Sequence, residues 1–277
     1  MDNHPAPPPI TNLTPVFIGN LIESGLLGIL TIQVVVFLQR PVSGWDKLVC
    51  VGLWCMTLLH LVSAVQFAYE SIFVYKGDLT GVPTPWNYSL AAVLDLFISN
   101  LTQIFYAVRL WKLFKKTYYR NALFIFLGLL IGLGLSLDAC ESLISPVMHE
   151  TLQDTIRLDV PYKLSKVSEI YLLLTVDFKW AVMLAFTLAS VIDCILSASL
   201  IIMLYNSNQR LDWTDSQLNV ILAYAVNSGA LASLFSITCP LTYIILPESF
   251  IFLSLRYILV PLYFNSLLAM LNAQHYL

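Results

Sequence analysis

Charge is what this chain has least of. Only 11% of its 277 residues are Asp, Glu, Lys or Arg, against about 25% in soluble domains. That scarcity excludes a cytosolic globular core. The net charge of −3 is small and scattered, which gives no basis for a nucleic-acid partner. Lys and Arg are missing from the stretch before Val16, as is a small-residue cleavage site, so no secretory leader is expected and the first apolar run stays in the mature protein. The five cysteines lie inside or at the ends of apolar runs, so the outer loops carry no disulfide framework and no Cys/His spacing points to zinc. No Gly-x-Ser-x-Gly elbow, phosphate loop or cluster of His with carboxylates occurs, so no enzymatic activity, metal or cofactor is expected. The last apolar run also lacks the lysine that a retinal Schiff base would need.

What the chain has in abundance is apolar length. Hydrophobic residues make up 58% of it, and the mean hydropathy is +0.77. Seven runs, each near the roughly 20 residues that a helix needs to cross a bilayer, fall at Val16–Leu38, Leu48–Ile72, Tyr88–Leu110, Ala122–Ile144, Trp180–Leu204, Leu218–Ile244 and Ser249–Leu271. Backbone groups in hydrocarbon must be satisfied internally, which makes these runs helices. The expectation is an all-α polytopic membrane protein with seven transmembrane helices. It comprises a short outer segment (1–15), a seven-helix domain (16–272) with one sizeable outer loop (145–179), and a short tail (273–277). Ile170–Val176 is apolar but too short to span and reads as an interfacial helix.

Basic residues set the orientation. An outside N-terminus and a cytoplasmic C-terminus place Arg40, Lys47 and Arg210 inside, together with the cluster Arg109, Lys112, Lys115, Lys116 and Arg120 after the third run. That cluster fits an inner-leaflet anchor or a docking face for a cytoplasmic protein. The sequons at Asn12 and Asn87 then both face outward as glycosylation candidates.

Ionisable residues inside the runs carry the functional signal, since a lone charge at the bilayer centre costs at least roughly 2.5–3.5 kcal/mol. Glu23, Asp95, Asp138 and Arg256 all fall roughly 10 Å below the outer boundary at the rise of an α-helix, with Asp193 deeper. Asp95, Ser99, Thr102, Gln103 and Tyr106 form a polar stripe at helical spacing. Ser190 and Ser197 share a face with Asp193. These residues predict a mostly acidic pocket opening outward, built on Glu23, Asp95, Ser99, Gln103, Asp138, Asp193 and Arg256, with Arg256 as counter-ion to Glu23. The plainer reading makes them interhelical hydrogen bonds worth about 0.6 kcal/mol each. His60 stands alone on the second run and reads as a hydrogen-bonded packing residue. Gly128 and Gly132, four apart, allow close helix approach; Gly229 and Asn265 are further packing candidates.

From Leu21 to Gln274 the chain resembles a fungal seven-span membrane family catalogued as domain of unknown function 6534. The resemblance rests on Gly28, Gln33, Lys47, Tyr69, Gly77-Asp78 and Trp86. It continues through Gln103, the Phe105-Tyr106-Ala107-Val108-Arg109 end of the third run, Trp180 with Asp193, and Ser228-Gly229. Its most specific part is the block from Leu262 to Ala273. The chain departs from the family pattern at Pro261, Gln274 and Asn227-Ser228. The resemblance implies a membrane location and seven helices, and brings no activity, substrate or partner.

Three functional classes follow. A non-enzymatic receptor-like or sensory protein would take a small-molecule ligand from the outer side and engage a cytoplasmic protein at the loop after the third helix, in a plasma membrane more readily than an internal one. A proton-coupled carrier would use Asp193 as a relay. A structural membrane protein would use the polar groups as packing alone.

Overall fold

The computed structural model describes residues 13–41, 43–74, 86–113, 128, 132, 176–208, 216–246 and 249–273. Among them every regular element is helical: α1 (Thr14–Leu38), α2 (Gly44–Tyr69), α3 (Trp86–Leu113), α4 (Val176–Asn208), α5 (Ser216–Ile245) and α6 (Ile251–Ala273). A single π turn, Glu70–Val74, prolongs α2. Pro15 opens α1, where its missing N–H is no loss, and the helix ends just before Arg40-Pro41. Ser43 caps α2 by accepting from the Trp45 amide at 3.3 Å, and Asp46 complements the dipole in the first turn.

The helices outrun the apolar segments that announce them. α4 begins at Val176 rather than Trp180 and continues to Asn208, because backbone hydrogen bonding persists into polar flanks where hydropathy has fallen. α6 begins two residues later than Ser249, since Phe250 takes a positive φ of 53° that no helix accommodates. The expected fourth run, Ala122–Ile144, lies outside the described residues apart from Gly128 and Gly132, which are helical. Residues 145–175 of the outer loop lie outside them too. Four helices among the described residues are long and apolar enough to cross a membrane: α1, α2 with its π turn, α3 and α6. The chain is an integral membrane protein.

Its burial pattern is that of a bundle in lipid. Ile18, Leu21, Ile32 and Val36 of α1 point outward, as do Phe97 and Ile104 of α3, while Glu23, His60, Asp95 and Asp193 are buried. α6 is enclosed almost all round and packs against α1, α2, α3 and α5. Gly19 marks its closest approach to α1: a Cβ there would stand 2.9 Å from Ser254 Cα.

Four apolar clusters fill the interior among the described residues, and the two largest bracket the ionisable groups. One, toward one end, gathers Val16, Phe67, Tyr243, Phe250 and Phe252. The other gathers Leu27, Leu30, Leu53, Ile192 and Phe264. Glu23 falls between Val16 and Leu27 on α1, His60 between Leu53 and Phe67 on α2, and Arg256 between Phe252 and Phe264 on α6. The ionisable level is therefore sealed above and below by apolar side chains.

Candidate functional site

The buried polar groups occupy two levels, and elementary helix geometry relates them. Seven or eight residues separate Asp95 from Gln103 on α3, Phe186 from Asp193 on α4, and Arg256 from Tyr263 on α6. At helical rise that is about 10–12 Å.

The first level holds an acid–imidazole hydrogen bond and an ion pair. His60 Nδ1 meets Glu23 Oε1 at 2.7 Å with both side chains wholly buried. Arg256 Nη2 meets Asp95 Oδ2 at 2.6 Å, and Ser99 donates to the other Asp95 oxygen at 3.1 Å. Arg256 also lies 5.2 Å over the Phe186 ring of α4. The His60 ring stands edge-on to Tyr257, with 5.5 Å between centroids, which brings the two pairs onto one level.

This corrects the expected partnership between Arg256 and Glu23. α1 and α6 do pack together, but Arg256 lies on the side of α6 that faces α3. The Glu23 carboxylate turns to His60 instead. His60 is a hydrogen-bonded buried residue, with an acidic partner that depth alone did not reveal.

The second level converges on Asp193. Gln103 Nε2 donates to Oδ1 at 3.1 Å. Ser236 Oγ donates to Oδ2 at 2.5 Å, and the Tyr263 hydroxyl donates to the same oxygen. One carboxylate thus binds α3, α5 and α6 to α4. Pro240 explains how α5 is held here. Having no N–H, it leaves the carbonyl four residues earlier, that of Ser236, without its helical partner. Ser190 of α4 donates to that carbonyl at 2.5 Å, so the helix-breaking residue creates a second anchor beside the first.

A cleft of about 30 Å3 adjoins Asp193, with Thr102, Ser197, Ser233 and Ser266 in its wall. A buried water needs at least about 10–15 Å3 and an organic ligand about 300–1,000 Å3. The cleft therefore has room for water-sized species only. Ser233 donates to Ser197 Oγ at 2.6 Å, joining α5 to α4.

The remaining sequence candidates fall out as follows. Glu23 and Arg256 share a level without touching, and Asp95 joins Arg256 rather than an acidic cluster. Asp138 lies outside the described residues, as do Lys115, Lys116, Arg120 and Asn12. Arg109 and Lys112 fall on the last turns of α3. Asn87 is fully buried in the first turn of α3, and a glycan on it does not fit this packing. No described atom lies within 4 Å of a Cβ built on Gly128 or Gly132, whereas one on Gly229 would sit 3.8 Å from Ser197 Oγ. Asn265 bridges helices, donating to Leu26 O of α1 at 3.1 Å and to Pro261 O at 2.9 Å.

Sequence reasoning missed Ser236 and Tyr263. A serine is too common on apolar helices to single out, and Tyr263 sits within a block read only as resemblance. The signal available for Ser236 was Pro240 four residues on. Among the described residues no group of three or more His, Cys, Asp or Glu could hold a metal ion.

Fold and site together define an integral membrane protein with a polar, desolvated core. Residues 189–276 match the model of a family of unknown function, DUF6534. That stretch contains Asp193, Ser236 and Tyr263, three of the four groups that meet at the second level. No curated protein and no solved structure matches the chain.

Proposed function

We propose that the chain is a non-enzymatic, receptor-like or sensory seven-helix protein whose working element is the Asp193 carboxylate. The observation that carries this reading is that one buried acid accepts from three helices at once. Its charge or occupancy therefore sets how α3, α4, α5 and α6 pack. A protein that reports an outer-side event inward needs such a shared contact. The basic run of Arg109, Lys112, Lys115, Lys116 and Arg120 in the sequence supports attraction of anionic lipid or a cytoplasmic protein on the inner side. The outward N-terminus and a plasma-membrane location belong to the same reading.

Hydrogen exchange on full-length protein in lipid nanodiscs tests it. Asp193→Asn should raise exchange across α4, α5 and α6 about tenfold, the loss of one charged hydrogen bond. Alanine at Lys112, Lys115 and Lys116 together should abolish cytoplasmic association. Unchanged exchange with association intact would remove the receptor reading.

The hydroxyl-lined cleft beside Asp193 favours a second reading, a proton-coupled carrier. A pH-dependent flux in proteoliposomes that Asp193→Asn abolishes would select it.

A further inference from the structure

The cleft beside Asp193 is lined mainly by oxygens with lone pairs to offer. Thr102 commits its hydroxyl hydrogen to Ile98 O at 2.7 Å. Ser197 commits its own to Gly229 O at 3.1 Å, and Ser233 directs its hydrogen to Ser197 Oγ at 2.6 Å. Each hydroxyl is thereby left with an oxygen lone pair, and these three oxygens line one small cleft with the Asp193 carboxylate. Such a wall repels anions and suits a hard cation, which takes oxygen ligands.

A second observation, independent of the first, points to an occupant. The Tyr106 hydroxyl and Ser266 Oγ also line the cleft, are more than nine-tenths buried, and have at most each other as partner. One bond between two hydroxyls still leaves a hydrogen and several lone pairs unused, and a buried polar group left unpaired costs about 1–3 kcal/mol, so the cleft calls for something to bind.

Charge and size then narrow the choice. Asp193 is the one carboxylate in the wall, too little negative charge for a divalent ion, whose sites gather several. About 30 Å3 admits one or two water-sized bodies. We infer that the cleft formed by Asp193, Thr102, Tyr106, Ser197, Ser233 and Ser266 is a binding site for a small monovalent cation of sodium's size, held with a water. The inference rests on the reading of Asp193 as the switching group and names the ligand of that same site. A cation there ties the helices that the carboxylate already joins.

Thermal unfolding of full-length protein in nanodiscs is the test, in NaCl against choline chloride at equal ionic strength. Sodium at ten times its half-saturating concentration should raise Tm by about 2–4 °C over choline. Asp193→Asn should abolish that rise. Ser266→Ala leaves every hydrogen bond to Asp193 in place, so it should fold and should raise the sodium needed at least about fivefold relative to its own Tm in choline; it serves if Asp193→Asn does not fold. An equal rise in both salts, or none, means ordered water only and overturns the inference. So does a sodium-specific rise that Ser266→Ala and Asp193→Asn both leave intact. If the sodium effect is absent while Asp193→Asn still changes hydrogen exchange, the cation site falls and the sensory reading stands.

Discussion

Tyr263 on α6 and Ser236 on α5 donate to the same oxygen of Asp193, Oδ2, while Gln103 on α3 takes the other. The acid therefore has no oxygen left bare toward the apolar clusters around it. Ser236→Ala should cost about 1–2 kcal/mol, the range for losing one donor to a charged acceptor when a second remains. Thr187→Ala, on an exposed hydroxyl bonded only to its own helix, should stay within about 0.5 kcal/mol of wild type. Chemical or thermal unfolding of the purified protein measures both.

The Glu23–His60 pair makes a sharper forecast. With both side chains wholly buried, His60→Ala strands a carboxylate in the core and should cost about 3–5 kcal/mol. Glu23→Gln with His60→Ala removes the stranded charge and should recover at least about half of that loss. A double variant as unstable as the sum of the single ones would mean that the two residues do not act as a pair.

Arg256 and Asp95 should be coupled in the same way. Arg256→Met should destabilise by about 3–5 kcal/mol, and adding Asp95→Asn should restore part of it. Glu23→Gln should not, because Glu23 is bonded to His60 rather than to Arg256. Unfolding of the three variants decides between the two pairings.

How much of this lay open in the sequence varies residue by residue. α1, α2, α3 and α6 were legible as apolar runs because hydropathy and helix length both answer to bilayer thickness. Burial of Asp95, Ser99, Thr102 and Gln103 on one face followed from helical periodicity. The choice of partner did not. Depth along a helix can be counted from its ends, but the rotation that turned Arg256 toward α3 depends on packing between helices. Gly19 shows the same limit: nothing in its neighbours sets it apart from Gly25 or Gly28, yet it alone of the three meets another backbone.

That contrast is itself testable. Gly19→Ala should push α1 from α6 and cost about 1–3 kcal/mol, since the new Cβ would stand 2.9 Å from Ser254 Cα. Gly25→Ala and Gly28→Ala meet nothing within 4 Å and should stabilise by about 0.5–1 kcal/mol through helix propensity. Equal effects at all three positions would mean that α1 and α6 do not cross at Gly19.

Whether Asp193 holds its helices together through Tyr263 is read out by a thermodynamic cycle on these two residues. Unfolding free energies would be measured for Asp193→Asn, Tyr263→Phe and the double variant in one lipid composition. If the tyrosine acts through the acid, the double variant should be no more than about 0.5 kcal/mol less stable than Asp193→Asn alone. Losses that simply add would mean that Tyr263 and Asp193 act independently.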